Sequence, residues 1–173
     1  MRTGCLSLLL AAAVLAGCTQ TVAGTVVARL SLPVPGFPST AGYTAVDSKS
    51  FYIRDGNPEY GFGFDTPNGF SCGMGSFPIP EAARVHCTGL RPDHGPGFWI
   101  VTAERRSGDT TIKRSPAPRR PSYRRAHSNK LLPQRHYVVD SVDTLCLVTE
   151  DSVLACHVGD HGFILAPNKT TLF

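Results

Sequence analysis

Three things are scarce in this 173-residue chain: charge, long apolar runs and helical periodicity. Charged residues make up 17% of it, below the usual quarter or so. The longest uncharged apolar stretch, Cys5–Leu15, is short of the roughly 20 residues that cross a bilayer. No window keeps apolar residues on one helical face for ten residues, so a helix bundle is excluded. There is also no phosphate loop, dinucleotide fingerprint or paired-carboxylate constellation, and hence no sequence ground for a nucleotide-dependent enzyme. What is present instead is 42% apolar residues with 17 glycines and 14 prolines. The length suits one domain.

The first segment reads as an address. Arg2 precedes the apolar run, which has the length of a signal-peptide core and ends in Leu15-Ala16-Gly17-Cys18. This tetrapeptide resembles the lipobox of bacterial lipoproteins. The resemblance implies a signal peptide over 1–17 and a diacylglyceryl group (with a fatty acid, often palmitate, on the new amine) at Cys18. It also implies location on the extracytoplasmic face of the cell membrane. Two or three acyl chains exceed the marginal hold of one. The alternative is an ordinary secretory leader in which Cys18 is incidental.

Outside the cytoplasm disulfides persist. With Cys5 on the leader and Cys18 lipidated, Cys72, Cys87, Cys146 and Cys156 remain, and four cysteines allow three pairings. A hairpin centred on Asp151 sets Cys146 opposite Cys156 and Val148 opposite Leu154, within reach of a bridge after small adjustment. Cys72–Cys87 then follows, closing a loop that contains Pro78 and Pro80. Both faces of the Leu145–His157 hairpin are largely apolar, which predicts burial on two sides.

Residues 18–42, with Pro33, Pro35 and Pro38, read as a tether, with one strand near Thr25–Leu30. From about residue 43 short apolar runs alternate with turns: Phe51–Ile53, Gly61–Phe64, Phe70–Cys72, Arg84–Cys87, Phe98–Thr102, Tyr137–Val142, Thr144–Thr149, Val153–His157, Gly162–Leu165 and Thr170–Phe173. This spacing predicts an all-β domain over 43–173, a small antiparallel barrel or sandwich with two disulfides. Thr66-Pro67-Asn68-Gly69 is the recipe for a hairpin turn with a left-handed glycine. Pro167-Asn168 echoes Pro67-Asn68, which we read as two independent uses of one turn.

The net charge of +4 is a sum of opposed parts. Arg105–Arg135 holds ten basic residues and one acid, Asp109, while the rest of the mature chain holds six basic and twelve acidic residues. The basic stretch, with four prolines and few apolar residues, predicts a flexible insert that cannot offset its ordering entropy. Its arginines, Arg119, Arg120, Arg124 and Arg125 foremost, suit an anionic partner: a lipid headgroup, an envelope polymer or a protein's acidic patch. The extracytoplasmic address argues against nucleic acid.

The remaining chemistry is thin. His157, Asp160 and His161 are the one cluster suited to a metal; a turn with two surface histidines is the plainer reading. His86-Cys87 beside no Gly-Asp-Ser-Gly segment does not make a protease, and Ser71-Cys72-Gly73 is better read as half of a disulfide than as a nucleophile. Trp99 is read as core. Phe64-Asp65-Thr66-Pro67-Asn68-Gly69 before Cys72-Gly73-Met74, Val85-His86-Cys87-Thr88-Gly89, Leu132-Pro133, the Cys146…Cys156 pair and His161-Gly162-Phe163 together resemble a group of secreted lipoproteins of mycobacteria and other actinobacteria. The resemblance covers roughly Phe51–Cys87 and Leu132–Phe173 and implies an envelope location with no established activity; the basic insert departs from it. The expected function is thus a lipid-anchored, non-enzymatic binding module without a cofactor. The alternative is a small envelope hydrolase or metal-binding protein using His157, Asp160 and His161.

Overall fold

Thr66-Pro67-Asn68-Gly69 turns as its composition dictates. Gly69 sits at φ 89°, where glycine pays no steric penalty. Its N–H donates to the Thr66 carbonyl at 3.0 Å, and Thr66 N–H to Phe70 O at 2.9 Å. The other predicted hairpin holds as well. Cys146 lies opposite Cys156 and Val148 opposite Leu154. That loop lacks glycine, and Ser152 takes the left-handed position at φ 61°, with the Thr149 hydroxyl accepting from Val153 N–H at 3.0 Å. Asn68 then ties the two turns together, donating from Nδ2 to Ser152 O at 2.7 Å.

The structure, a computed structural model, describes residues 34–52, 61–75, 80–116, 130–133, 135–139 and 143–173. Cys18 and the strand expected near Thr25–Leu30 lie outside them. The strands are β1 (Thr44–Ala45), β2 (Phe62–Asp65), β3 (Ser71–Gly75), β4 (Arg84–Leu90), β5 (Phe98–Glu104), β6 (Asp109–Arg114), β7 (Arg135–Val139), β8 (Thr144–Val148), β9 (Leu154–Val158), β10 (His161–Ala166) and β11 (Lys169–Leu172). They form two sheets, β2-β3-β4-β5-β6 and β1-β7-β8-β9-β10-β11. Among the described residues every pairing is antiparallel except the short β1–β7 contact and the isolated Asp65–Lys130 bridge. The sheets do not close into a barrel; the fold is a sandwich.

Each sheet carries a five-strand meander with a disulfide between its second and third strands. In the first, the register aligns Phe64, Cys72, Cys87, Val101 and Ile112 in one row across the sheet. In the second it aligns Tyr137, Cys146, Cys156, Phe163 and Leu172. All four cysteines are buried in one core with Phe64, Met74, Val85, Val101, Val148, Leu154, Phe163 and Leu165. Cys146 Sγ lies 3.7 Å from Met74 Sδ, so the two halves meet sulfur to sulfur. The two Pro-Asn turns occupy different places in the meanders, β2–β3 and β10–β11, so they are not equivalent positions of this repeat.

Four expectations need correction. Cys72 and Cys87 do not close an irregular loop: they face each other directly in β3 and β4 with Cα atoms 4.1 Å apart, like Cys146 and Cys156. The run at Phe51 is not a strand. Ser48–Phe51 is a 3₁₀ turn that buries Phe51, followed by a bridge from Tyr52 to Phe62. The basic stretch is not flexible from residue 105. Its first third forms the β5–β6 turn and β6, because Thr110, Thr111 and Ile112 are β-formers whose ladder partners are Ala103, Thr102 and Val101. Finally, the end of the tether is docked: the Phe37 ring meets the His157 ring edge-on at 4.6 Å and Phe173 at 6.3 Å.

Candidate functional site

The His157–His161 cluster does not converge. In the β9–β10 hairpin His157 is opposite Gly162, and His161 is opposite Val158. Successive residues of a strand point to opposite faces, so the two rings lie on opposite sides of the sheet. Val158 is in the core, and His161 Nε2 stands 3.2 Å from where a Cβ on Gly108 would be. His157 is buried on the outer face beneath Phe37, its Nδ1 3.0 Å from Gly159 O. Burial lowers its pKa, against weaker raising contributions from Gly159 O, Asp143 and Asp160. Among the described residues no group of three His, Cys, Asp or Glu is placed to hold a metal ion.

His86 occupies the outer face of the first sheet. The register places it between Gly73 and Thr102. Burial, reinforced by the Arg84 guanidinium, pushes its pKa down to about 4, so the ring is neutral at physiological pH. One row away, the Ser71 hydroxyl donates to Asp65 Oδ1 at 2.7 Å. The Ser71 hydroxyl is thus held by the Asp65 carboxylate, and Cys72 and Cys87 are bonded to each other.

Trp99 is half-buried and its polar edge is used within the protein. Nε1–H donates to Gly95 O at 3.1 Å, and the ring centroid lies 5.4 Å from that of His94. Beside it sits a residue that sequence reasoning missed. Arg91, 1% exposed, leaves β4 and reaches the β10–β11 hairpin of the other sheet. Its Nε donates to Thr170 Oγ1 at 2.9 Å and an Nη to Ala166 O at 2.6 Å. The other Nη pairs with Asp93 Oδ1 at 2.7 Å, and the guanidinium lies 5.8 Å from the Phe70 centroid. Burial alone would raise the Asp93 carboxyl; hydrogen bonds from Arg91 and Thr170 and the Arg91 charge outweigh it and hold the pKa at about 2. Arg91 is a clamp between sheets. The one sequence hint was an arginine two residues ahead of an acid across a proline.

The basic stretch supplies the remaining candidate. Arg119, Arg120, Arg124 and Arg125 lie outside the described residues. Their flanks do not. On one side Lys113 and Arg114 are exposed on β6, and Ser115 N–H donates to Phe98 O at 2.8 Å. On the other side Lys130 is exposed and bridges to Asp65 of β2, with Leu131 N–H donating to Asp65 O at 2.9 Å and its side chain in the core. Since β6 and β2 are the two edges of the first sheet and Lys130 bridges to the outer side of β2, these flanks are five strand spacings apart, roughly 24 Å. Exposed cations therefore stand at both edges of one sheet. No known protein family, curated protein or solved structure matches this chain.

Proposed function

We propose that this chain is a lipid-anchored, non-enzymatic binding module of the cell envelope, and that its basic stretch captures an anionic envelope component. The observation that carries the reading is the placement of charge. The flanks of residues 117–129 leave from opposite edges of one sheet with exposed Lys113, Arg114 and Lys130, while four further arginines lie between them. The two buried disulfides suit an oxidising compartment, and a lipid at Cys18 holds the domain close to anionic headgroups. Cations near such a surface contribute about 1 kcal/mol each.

The test is vesicle co-sedimentation of a soluble form lacking Cys18, with phosphatidylglycerol-containing vesicles against phosphatidylcholine vesicles. Replacing Arg119, Arg120, Arg124 and Arg125 with serine lowers affinity for the anionic vesicles tenfold or more, and added salt has the same effect. Unchanged affinity overturns the lipid form of the reading.

A further inference from the structure

The far side of β6 is an open edge. Ser115 N–H points at β5. Residues that exchange ladder bonds alternate in an antiparallel pair, so Lys113, Thr111 and Asp109 also bond toward β5. The N–H and C=O groups of Thr110, Ile112 and Arg114 then face away. Among the described residues no strand pairs with that side. The opposite edge of the same sheet, β2, is bridged by Tyr52 and Lys130. Such an edge is a template for another strand.

The charges on β6 do not serve their own sheet. Asp109 stands directly opposite Glu104, and Lys113 opposite Ile100. Like charges across a ladder are destabilising, so Asp109 is misplaced for the isolated domain. Asp109 and Lys113 are both exposed and lie on the same outer face, with Thr111 between them.

We propose that two copies of this chain pair antiparallel through β6, about a twofold axis at Thr111, joining their first sheets into one continuous sheet. This goes beyond the envelope reading and does not depend on it. Outward bonding at 110, 112 and 114 allows an axis at Thr110, Thr111, Ile112 or Lys113, and the last sets Lys113 against its own copy, like charge on like. With the axis at Ile112, Asp109 meets Ser115 and Lys113 meets Thr111 of the second copy. With it at Thr110, Asp109 meets Thr111 and Ile112 meets Gly108. The axis at Thr111 alone sets Asp109 opposite Lys113 of the second copy, twice by symmetry. The same axis sets Thr110 against Ile112 in hydrogen-bonded pairs and Thr111 against its own copy, both favourable cross-strand combinations. The contact is isologous and closes as a dimer.

The test uses the full chain in mild detergent, followed by analytical ultracentrifugation. A concentration-dependent dimer is expected. Asp109→Lys or Lys113→Asp weakens it roughly tenfold or more, and the double exchange restores it. Asp109→Lys also raises the melting temperature of the monomer, since it places a cation opposite Glu104; this shows that the variant folds. Thr111 pairs at a non-hydrogen-bonded position with Cα atoms about 4.5 Å apart, within disulfide reach. Thr111→Cys therefore gives a covalent dimer on mild oxidation. A monomer at every concentration, a dimer indifferent to both single exchanges, or failure of Thr111→Cys to cross-link overturns the proposal.

Discussion

The two meanders share a plan and differ in what surrounds it. Both are five antiparallel strands with a disulfide between the second and third. In the second, β9 is buried along its whole length, and Phe37 covers His157 on its outer face. In the first, the outer-face positions run through Gly63, Gly73, His86, Thr102 and Thr111, and the edge ends in Lys113 and Arg114. The comparison separates two jobs that one motif can do. Both meanders are buried at their centres, β3 as well as β9; the first differs in its polar outer row and its charged edge strand β6, which is surface on offer. The same apolar row of cysteines and neighbours supports either, because it faces inward in both.

The link between the meanders is the place to break this arrangement most severely. Arg91→Ala removes one buried cation that bonds Thr170, Ala166 and Asp93. Buried charged networks lose about 3–5 kcal/mol when one partner is removed, and urea denaturation will show that loss with Asp93 titrating nearer the ordinary carboxylate range. An unfolding midpoint within error of the parent protein refutes the clamp.

The disulfides test whether the two halves are equally braced. Their sequence separations are 15 and 10, and loop-closure entropy assigns about 3 kcal/mol to each, slightly more to the longer. Cys72→Ala/Cys87→Ala and Cys146→Ala/Cys156→Ala should therefore destabilise the domain to a similar degree by the entropic contribution alone. Two-sided burial of β9 adds a larger packing loss to the second pair. Equal midpoints, or the reverse order, contradict a larger packing contribution in the second meander.

The smallest of these effects is a pH dependence located in the first meander. His86 is held neutral with a pKa of about 4, whereas the unfolded side chain titrates near 6.5. Below about pH 6.5 the unfolded state binds the extra proton first, so stability is full above that pH and falls as pH drops toward 4. The loss is on the order of 2–3 kcal/mol. His86→Gln flattens the stability profile in this window; His157, also lowered, leaves a remainder of the same sign. A His86→Gln profile as steep as the parent's would place the acid sensitivity in the second meander.

Local chemistry was legible in the residues themselves. The left-handed glycine at Gly69, the pairing of Cys146 with Cys156 and the two-sided burial of their hairpin all follow from turn chemistry and alternation, which act over a few positions. β6 was not legible, because the two basic residues before a short Thr-Thr-Ile run and the eight after it dominate the composition of the stretch. The strand forms on account of β5, whose Val101 and Ala103 lie far from the basic arginines in character though near in sequence. Arg91 was illegible for a stronger reason: its partners Ala166 and Thr170 are more than seventy residues away. The histidine pair is the opposite case. Its spacing offered a metal pair as the alternative to two surface histidines; strand alternation sends the rings apart, and His157 is buried rather than on the surface.

By itself the sequence determined the β class, the turns, the opposed charges and the two cystines, because each rests on interactions between near neighbours or on simple arithmetic of composition. Only the tertiary structure decided that the sheets stay open as a sandwich and that an arginine joins them. It also decided that Phe37 docks and that exposed cations stand at both edges of one sheet. These depend on which strands become neighbours, and strand order is chosen by burial over the whole core, to which every residue contributes and which no single window contains.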